Sequence, residues 1–262
     1  MANNAAADSS VPSPEHSIAV LRQLVTAWDQ HEDADIPILE DGDWERGLSI
    51  RVQVEHTVQM TRAVLALAED GLRIATVPLV RFTMECSVMA AWLATTPGSG
   101  KSAWHHASKE YRVLYEDLLK VDRAPASDPH LAVVKAELAT LQQYASEEAR
   151  VFRNRCEAVD SGVWIYAYYR LFSKLSHGRL GLNDEYLQQV SRSPEAPLGL
   201  ASKDPESFAL WPVAVAFQVT MLYNAMVVWD RIGKTHPRNA VLEALSEKYE
   251  FSMFTNLPNS VV

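Results

Sequence analysis

Between Ser207 and Trp229 the chain runs without a single charged side chain. A stretch of that length has two physical fates: a bilayer span, or a helix enclosed on all sides by other helices. Gln218, Thr220 and Asn224 interrupt it, Pro212 stands near its start, and the sequence holds one such segment rather than several. We therefore expect a buried central helix of a soluble bundle and no membrane association. The rest of the chain reads as its jacket. Only 10 of 262 residues are glycine, and Ala, Leu, Glu and Gln are plentiful, a composition that leans toward helix. No alternating strand pattern, hairpin signal or solenoid repeat is present. The expected fold is all-α, a single helical bundle of about seven to eight helices.

Punctuation along the chain sets the expected boundaries. Residues 1–12 read as a disordered tail, 13–252 as the helical domain, and 253–262 as a second tail. Ser13 and Pro14 form an N-cap and first helical residue for a helix to about Asp29. An acidic connector from His31 to Asp43 follows, then a long helix from about Glu45 to Asp70, closed by Gly71. Val77-Pro78 opens the next, to about Thr95. Gly98-Ser-Gly100 breaks the chain before a helix from Ser102 to about Val121. After the 124–129 loop, one continuous helix is expected from His130 to Val159. The helix carrying Arg170 and His177 comes next, then an irregular stretch from Gly178 to Pro205. The uncharged helix to Arg231 and a short one from about Pro237 to Tyr249 complete the chain.

Charge and cysteine usage narrow the chemistry. A net charge of −9 argues against a general nucleic-acid coat and leaves room for a local basic site. Cys86 and Cys156 match neither a metal pattern nor a disulfide framework, so they are expected as free thiols in a reducing, cytoplasmic setting. The N-terminus has no basic start and no apolar run, and is not read as a secretory signal. No metal or cofactor is expected. The acidic connector lacks calcium-loop spacing, inward Glu-x-x-His pairs are missing, and His105 and His106 diverge on a helix. Thr95 to Ser102 imitates a phosphate-binding loop, but Thr95 stands where glycine is expected and a helix precedes it instead of a strand. The apolar run ending in Asp230 is likewise inside a helix. Trp211, Phe217, Tyr223 and Trp229 are expected in the core.

The helix from Trp164 to His177 carries a polar line that packing does not require. Seven residues at about 100° each bring Arg170 and His177 to within roughly 20° of one another. Tyr166, Ser173 and Lys174 fall on that side, and Trp164, Tyr168, Leu171, Phe172 and Leu175 are expected to face the core. In the Val77–Ala94 segment, Arg81 and Glu85 are the only charges. Their i, i+4 spacing predicts a side-chain pair, because burying either alone costs several kcal/mol. Glu85 is also a candidate to orient Arg170 or His177 from across the bundle. The plain alternative for Arg170 and His177 is a surface or helix-terminus role.

Arg170, six residues, then His177 near the end of a bundle helix resembles the Arg-x(4–6)-His motif of the HEPN superfamily. The Arg81-x-x-x-Glu85 helix with Trp92 beyond it, and the run from Tyr169 to Gly178, are similar to bacterial helical proteins placed near that superfamily. The likeness covers Val77 to Gly178. Leu171 departs from the polar residue that commonly follows the arginine in active members. The resemblance implies metal-independent RNA cleavage of a toxin or phage-defence type. In that role His177 moves a proton and Arg170 holds the phosphate; Tyr166, Ser173 and Lys174 support them. It also implies a homodimer, with an antitoxin as a further partner. The alternative is a non-catalytic helical module that binds a protein partner or small ligand. The two are separated by whether Arg170 and His177 reach solvent on one shared face.

Overall fold

The computed structural model describes residues 11–31, 43–121, 128–159, 162–177, 182–195, 197–204, 206–233 and 235–249. Residues 1–10 of the expected N-terminal tail, the expected C-terminal tail, most of the acidic connector and most of the 124–129 loop therefore lie outside the described residues, as does Gly178. Among the described residues the chain is all-α apart from one small hairpin, and it forms eleven α-helices where seven or eight were expected. They are α1 (Pro14–Asp29), α2 (Trp44–Glu69), α3 (Val77–Thr95), α4 (Ser99–Val121), α5 (Pro129–Leu141), α6 (Glu147–Arg150), α7 (Phe152–Ala158), α8 (Gly162–Ser176), α9 (Asn183–Tyr186), α10 (Trp211–Ile232) and α11 (Asn239–Tyr249).

The excess comes mainly from one region. The single helix expected over 130–159 is broken into α5, a short 3₁₀ turn at Gln142–Tyr144, α6 and α7. Ala145, Ser146 and Val151 adopt extended or other non-helical backbone there, and the Ser146 hydroxyl accepts from the Ala149 N–H at 3.1 Å to restart the helix. A capping serine inside a helical pattern competes with helix continuation. A second departure is the antiparallel pair Leu187–Gln189 (β1) and Leu200–Ser202 (β2), with Gln188 opposite Ala201. It lies in a stretch read as irregular, and it is too short and exposed to leave an alternating pattern.

Local signals fix the ends of the main helices. The Ser13 hydroxyl accepts from the His16 N–H at 3.2 Å, and Pro14 fills the first turn. The Asp43 carboxylate does the same for Arg46 at 2.9 Å. Gly71, at φ +74°, turns the chain out of α2 in a conformation that a side chain disfavours.

α10 is the axis of the core. It packs against α1, α2 and α3, and α3 in turn carries α7 and α8 on its other side. Trp211, Phe217, Tyr223 and Trp229 are all buried, as are Leu222, Met226 and Val228. Each such side chain contributes about 1.5–3 kcal/mol by leaving water. Several polar groups along this helix are bonded across to its neighbours, while among the described residues the Gln218 Oε1 is buried without a partner. Gln218 Nε2 donates to Thr61 Oγ1 at 2.6 Å, Ser87 Oγ to the Met221 carbonyl at 2.9 Å, and Tyr223 Oη to the Leu242 carbonyl at 3.3 Å. Among the described residues two segments, Ile74–Thr95 and Trp211–Ile232, have the length and apolarity to cross a membrane where one was expected; the second is the more completely enclosed by protein.

A guanidinium clamp ties the end of α10 to α1. Arg238 is fully buried and donates from Nη2 to the carbonyls of Trp28, at 3.3 Å, and His31. Its guanidinium lies 4.4 Å from the centre of the Trp28 ring, and Arg51 lies 4.7 Å from the same ring. Burial raises the Asp230 carboxyl above its ordinary range, although it accepts from the Arg238 N–H at 3.0 Å.

Candidate functional site

α8 is a side helix, and its inward phase differs from the expected one. Ile165, Phe172 and Leu175 are buried, with Tyr169 half-buried beside them. Trp164 and Tyr168, expected in the core, are 36% and 38% exposed and lie across Phe217 of α10, with ring centres 5.1 and 4.5 Å away. The difference has a simple cause. α8 meets α3 along a narrow line, so its aromatic flank covers the rim of α10 instead of entering the core. A helix with aromatic residues on several sides has no unique apolar phase to read from spacing alone.

The opposite face is open. Arg170, Lys174 and His177 are all exposed, on the same side as Val163 and Ala167. Among the described residues none of the three makes a hydrogen bond or ion pair. The arginine and histidine backbones are about 10 Å apart along the helix axis, from seven residues at about 1.5 Å each.

Tyr166 and Ser173 do not join that strip, a correction to their expected place. Tyr166 turns toward α7. Tyr166 is half-buried and stacked on Tyr169, with ring centres 6.1 Å apart and planes at 19°, and the Arg153 guanidinium sits 6.0 Å from its ring centre. The Ser173 Oγ is buried and has no hydrogen-bond partner among the described residues.

Arg81 and Glu85 pair as their spacing predicts, at 2.7 Å. The same Arg81 Nη2 donates to the Tyr169 hydroxyl at 2.8 Å, bridging α3 to α8. Burial raises the Tyr169 phenol pKa; Arg81 opposes that shift, and a hydrogen bond to Glu85 adds to it. Glu85 is thus engaged by Arg81 and Tyr169, and among the described residues it bonds neither Arg170 nor His177. The expectation that Glu85 orients those two residues is replaced by a role one layer deeper, holding the helix that presents them. α7 adds Arg155, whose Nη1 donates to the carbonyls of Glu148 and Ala149 at 3.2 and 2.6 Å. Burial lowers its pKa, and the nearby Glu85 carboxylate works against that shift. Cys86 and Cys156 flank this network, and burial pushes both thiols up to about 12. At neutral pH they are protonated and poor nucleophiles.

The segment that imitates a phosphate loop is a helix-to-helix turn. α3 ends at Thr95, Gly98 adopts φ +70°, and α4 starts at Ser99. Ser99 Oγ donates to the Leu93 carbonyl at 3.1 Å, and Lys101 lies 5.0 Å from the Tyr144 ring centre. Gly100 abuts α2 so closely that a Cβ there would fall 2.5 Å from Asp43 Oδ1 and 2.6 Å from the Arg46 nitrogen. Gly98 serves the turn and Gly100 the packing. Among the described residues no three His, Cys, Asp or Glu side chains converge as a metal site.

Sequence reasoning found the exposed strip and missed its surroundings on α7, namely Phe152, Arg153 and Arg155. Phe152 packs 4.3 Å from the Tyr169 ring centre. The only signal was the alternation of arginines at 153 and 155, which acquires meaning once α7 is known to lie beside α8. No protein-family model matches the chain, and neither a curated protein nor a solved structure is significantly similar to it.

Proposed function

We propose that the protein is a HEPN-like endoribonuclease whose reacting groups are Arg170 and His177 on the open face of α8. One observation carries the reading: an arginine, a lysine and a histidine share one solvent-facing strip and are left unpaired among the described residues. The cations of the strip are the ones left for an anionic substrate, since Arg150 and Arg153 nearby are already paired with Glu147 and Glu157 at 2.6 and 2.7 Å.

In the proposed reaction His177 takes the proton from a ribose 2′-hydroxyl. The 2′-oxygen attacks the adjacent phosphorus, the bond to the 5′-oxygen breaks, and that oxygen collects a proton. The products are a 2′,3′-cyclic phosphate and a 5′-hydroxyl. Arg170, supported by Lys174, stabilises the charge that builds on the phosphate oxygens. An imidazole exchanges protons readily near neutral pH, which suits either proton transfer. The axial spacing of about 10 Å leaves a single α8 poorly able to surround one phosphate, so a homodimer that pairs two strips is part of the proposal. RNA is the proposed substrate and an antitoxin the proposed regulator, within the cytoplasm.

The test is cleavage of single-stranded RNA in the presence of a chelator by wild type, His177→Ala, Arg170→Ala and Lys174→Ala. Loss of the histidine should lower the rate by about 10²–10⁴-fold. The arginine variant should lose comparably, and the lysine variant less. Folded variants that cleave as well as wild type remove the proposal. A second reading, a non-catalytic module for a protein partner, is favoured by the exposed apolar side chains of α4.

A further inference from the structure

Trp164 and Tyr168 form an aromatic ledge on the flank of α8, 36% and 38% exposed. Each rests on the buried ring of Phe217 in α10, and the two meet edge to face, with centres 6.4 Å apart and planes at 83°. Tyr168 also leans on the buried Phe172, 6.5 Å away. A ring packed on a fixed ring beneath it has little freedom left to lose, so its outward side can take a flat ligand at small entropic cost. Among the described residues neither the Trp164 indole N–H nor the Tyr168 hydroxyl is hydrogen-bonded. An aliphatic pair would cover the rim of α10 as well; aromatic rings add faces that stack. The ledge and the cationic strip share the solvent-facing arc of α8. At about 100° per residue, Trp164 lies about 80° round the helix from Lys174 and about 120° from Arg170. The apolar side chains of Val163, Ala167 and Leu171 fill the interval. In a chain of net charge −9, α8 carries no carboxylate along its whole length.

We infer that Trp164 and Tyr168 stack the bases of a single RNA strand whose phosphates lie on Lys174 and Arg170. The identity of the polymer comes from the ribonuclease reading, on which the inference rests; the two rings add to it a pair that selects unpaired nucleotides. The combination of groups favours this occupant. A simple polyanion would use the cations alone, and an apolar peptide the rings alone. A strand of flat bases joined by phosphates uses both, crossing α8 obliquely from the ledge to the strip. Unpaired bases offer their faces to aromatic side chains, whereas a duplex keeps them stacked on one another and presents its backbone and a shallow groove. The absence of a carboxylate on α8 lets a polyanion approach here without the repulsion that the net charge of the chain imposes elsewhere. Every base has a stacking face, so the ledge discriminates strandedness and tolerates sequence.

Fluorescence anisotropy of the full chain with a labelled 2′-O-methyl oligoadenylate tests it. That strand keeps bases and phosphates and lacks the 2′-hydroxyl that cleavage consumes, so it stays intact. Wild type should bind it more tightly than a 2′-O-methyl duplex of equal length, by about tenfold or more. Trp164→Leu with Tyr168→Leu should lower its affinity, relative to that for inorganic polyphosphate, by about 10- to 100-fold. Leucine still covers the rim of α10, so a merely structural role would leave that ratio alone. Trp164→Phe with Tyr168→Phe restores the ring faces and should recover most of the loss. A wild type that does not prefer the single strand overturns the inference, and that comparison needs no variant. A ratio unchanged in the leucine variant overturns it too. The two readings fail separately. Cleavage of unmodified RNA together with an unchanged ratio keeps the ribonuclease and removes the ledge; ring-dependent binding without cleavage keeps the ledge and removes the ribonuclease.

Discussion

Gly162 shows how a single position sets the geometry of the candidate site. A Cβ built there would lie 1.6 Å from the Cys156 carbonyl oxygen and 2.4 Å from its carbon, both backbone atoms that cannot swing aside. α7 and α8 approach this closely because one of the two surfaces is bare. Gly162→Ala should therefore separate the helices and cost about 1–3 kcal/mol, read as a drop in the thermal midpoint. Gly98→Ala makes a useful contrast: nothing lies within 4 Å of its Cβ, and its penalty comes from φ +70° alone. A Gly162→Ala midpoint no lower than that of Gly98→Ala would contradict this account. At the same scale, the i, i+4 pairing of Arg81 with Glu85 was legible because both members sit on one helix. The third member, Tyr169, lies 88 residues away, and no local rule connects it to them.

At the scale of elements, α5 is held chiefly by α4, and Asp128 is the principal fastener of that helical hairpin. One carboxylate oxygen accepts from the His130 N–H at 2.8 Å, the Leu131 N–H at 3.1 Å and the Tyr115 hydroxyl at 3.2 Å. Asp128→Ala removes a helix cap and an interhelical tie together, a loss of about 1–2 kcal/mol. Amide hydrogen exchange should then accelerate in α5 and in the second half of α4 while α10 is unchanged, since the hairpin can open without disturbing the core. Uniform acceleration across the molecule would argue that the hairpin does not open separately. Helix ends such as Ser13 and Gly71 were readable because caps act within about four residues. The break over 142–151 was not, since apolar periodicity continues across it and the capping serine is decisive only where the chain turns.

For the whole molecule, the two buried thiols give a signed pH dependence. Free cysteine loses its proton near 9.0, whereas native Cys86 and Cys156 hold theirs to about 12. Between those values the unfolded chain binds fewer protons than the native one, so stability falls as pH rises from about 9 towards 12. Denaturant midpoints measured across that range should decline, and Cys86→Ala with Cys156→Ala should flatten the decline even if it lowers stability at every pH. Thiol reagents at pH 8 should label the native chain only as fast as it opens. The sequence by itself determined that the chain is helical, where its main helices begin and end, and that one uncharged segment must leave water. Those properties depend on composition, caps and periodicity within a few residues. Only the tertiary structure decided which face of α8 meets the core, that Glu85 engages Tyr169 instead of the histidine, and that apolar side chains of α4 such as Leu114 and Leu118 stay exposed. The phase of an amphipathic helix is set by the surface it lands on, and that surface is assembled from residues far away in the chain.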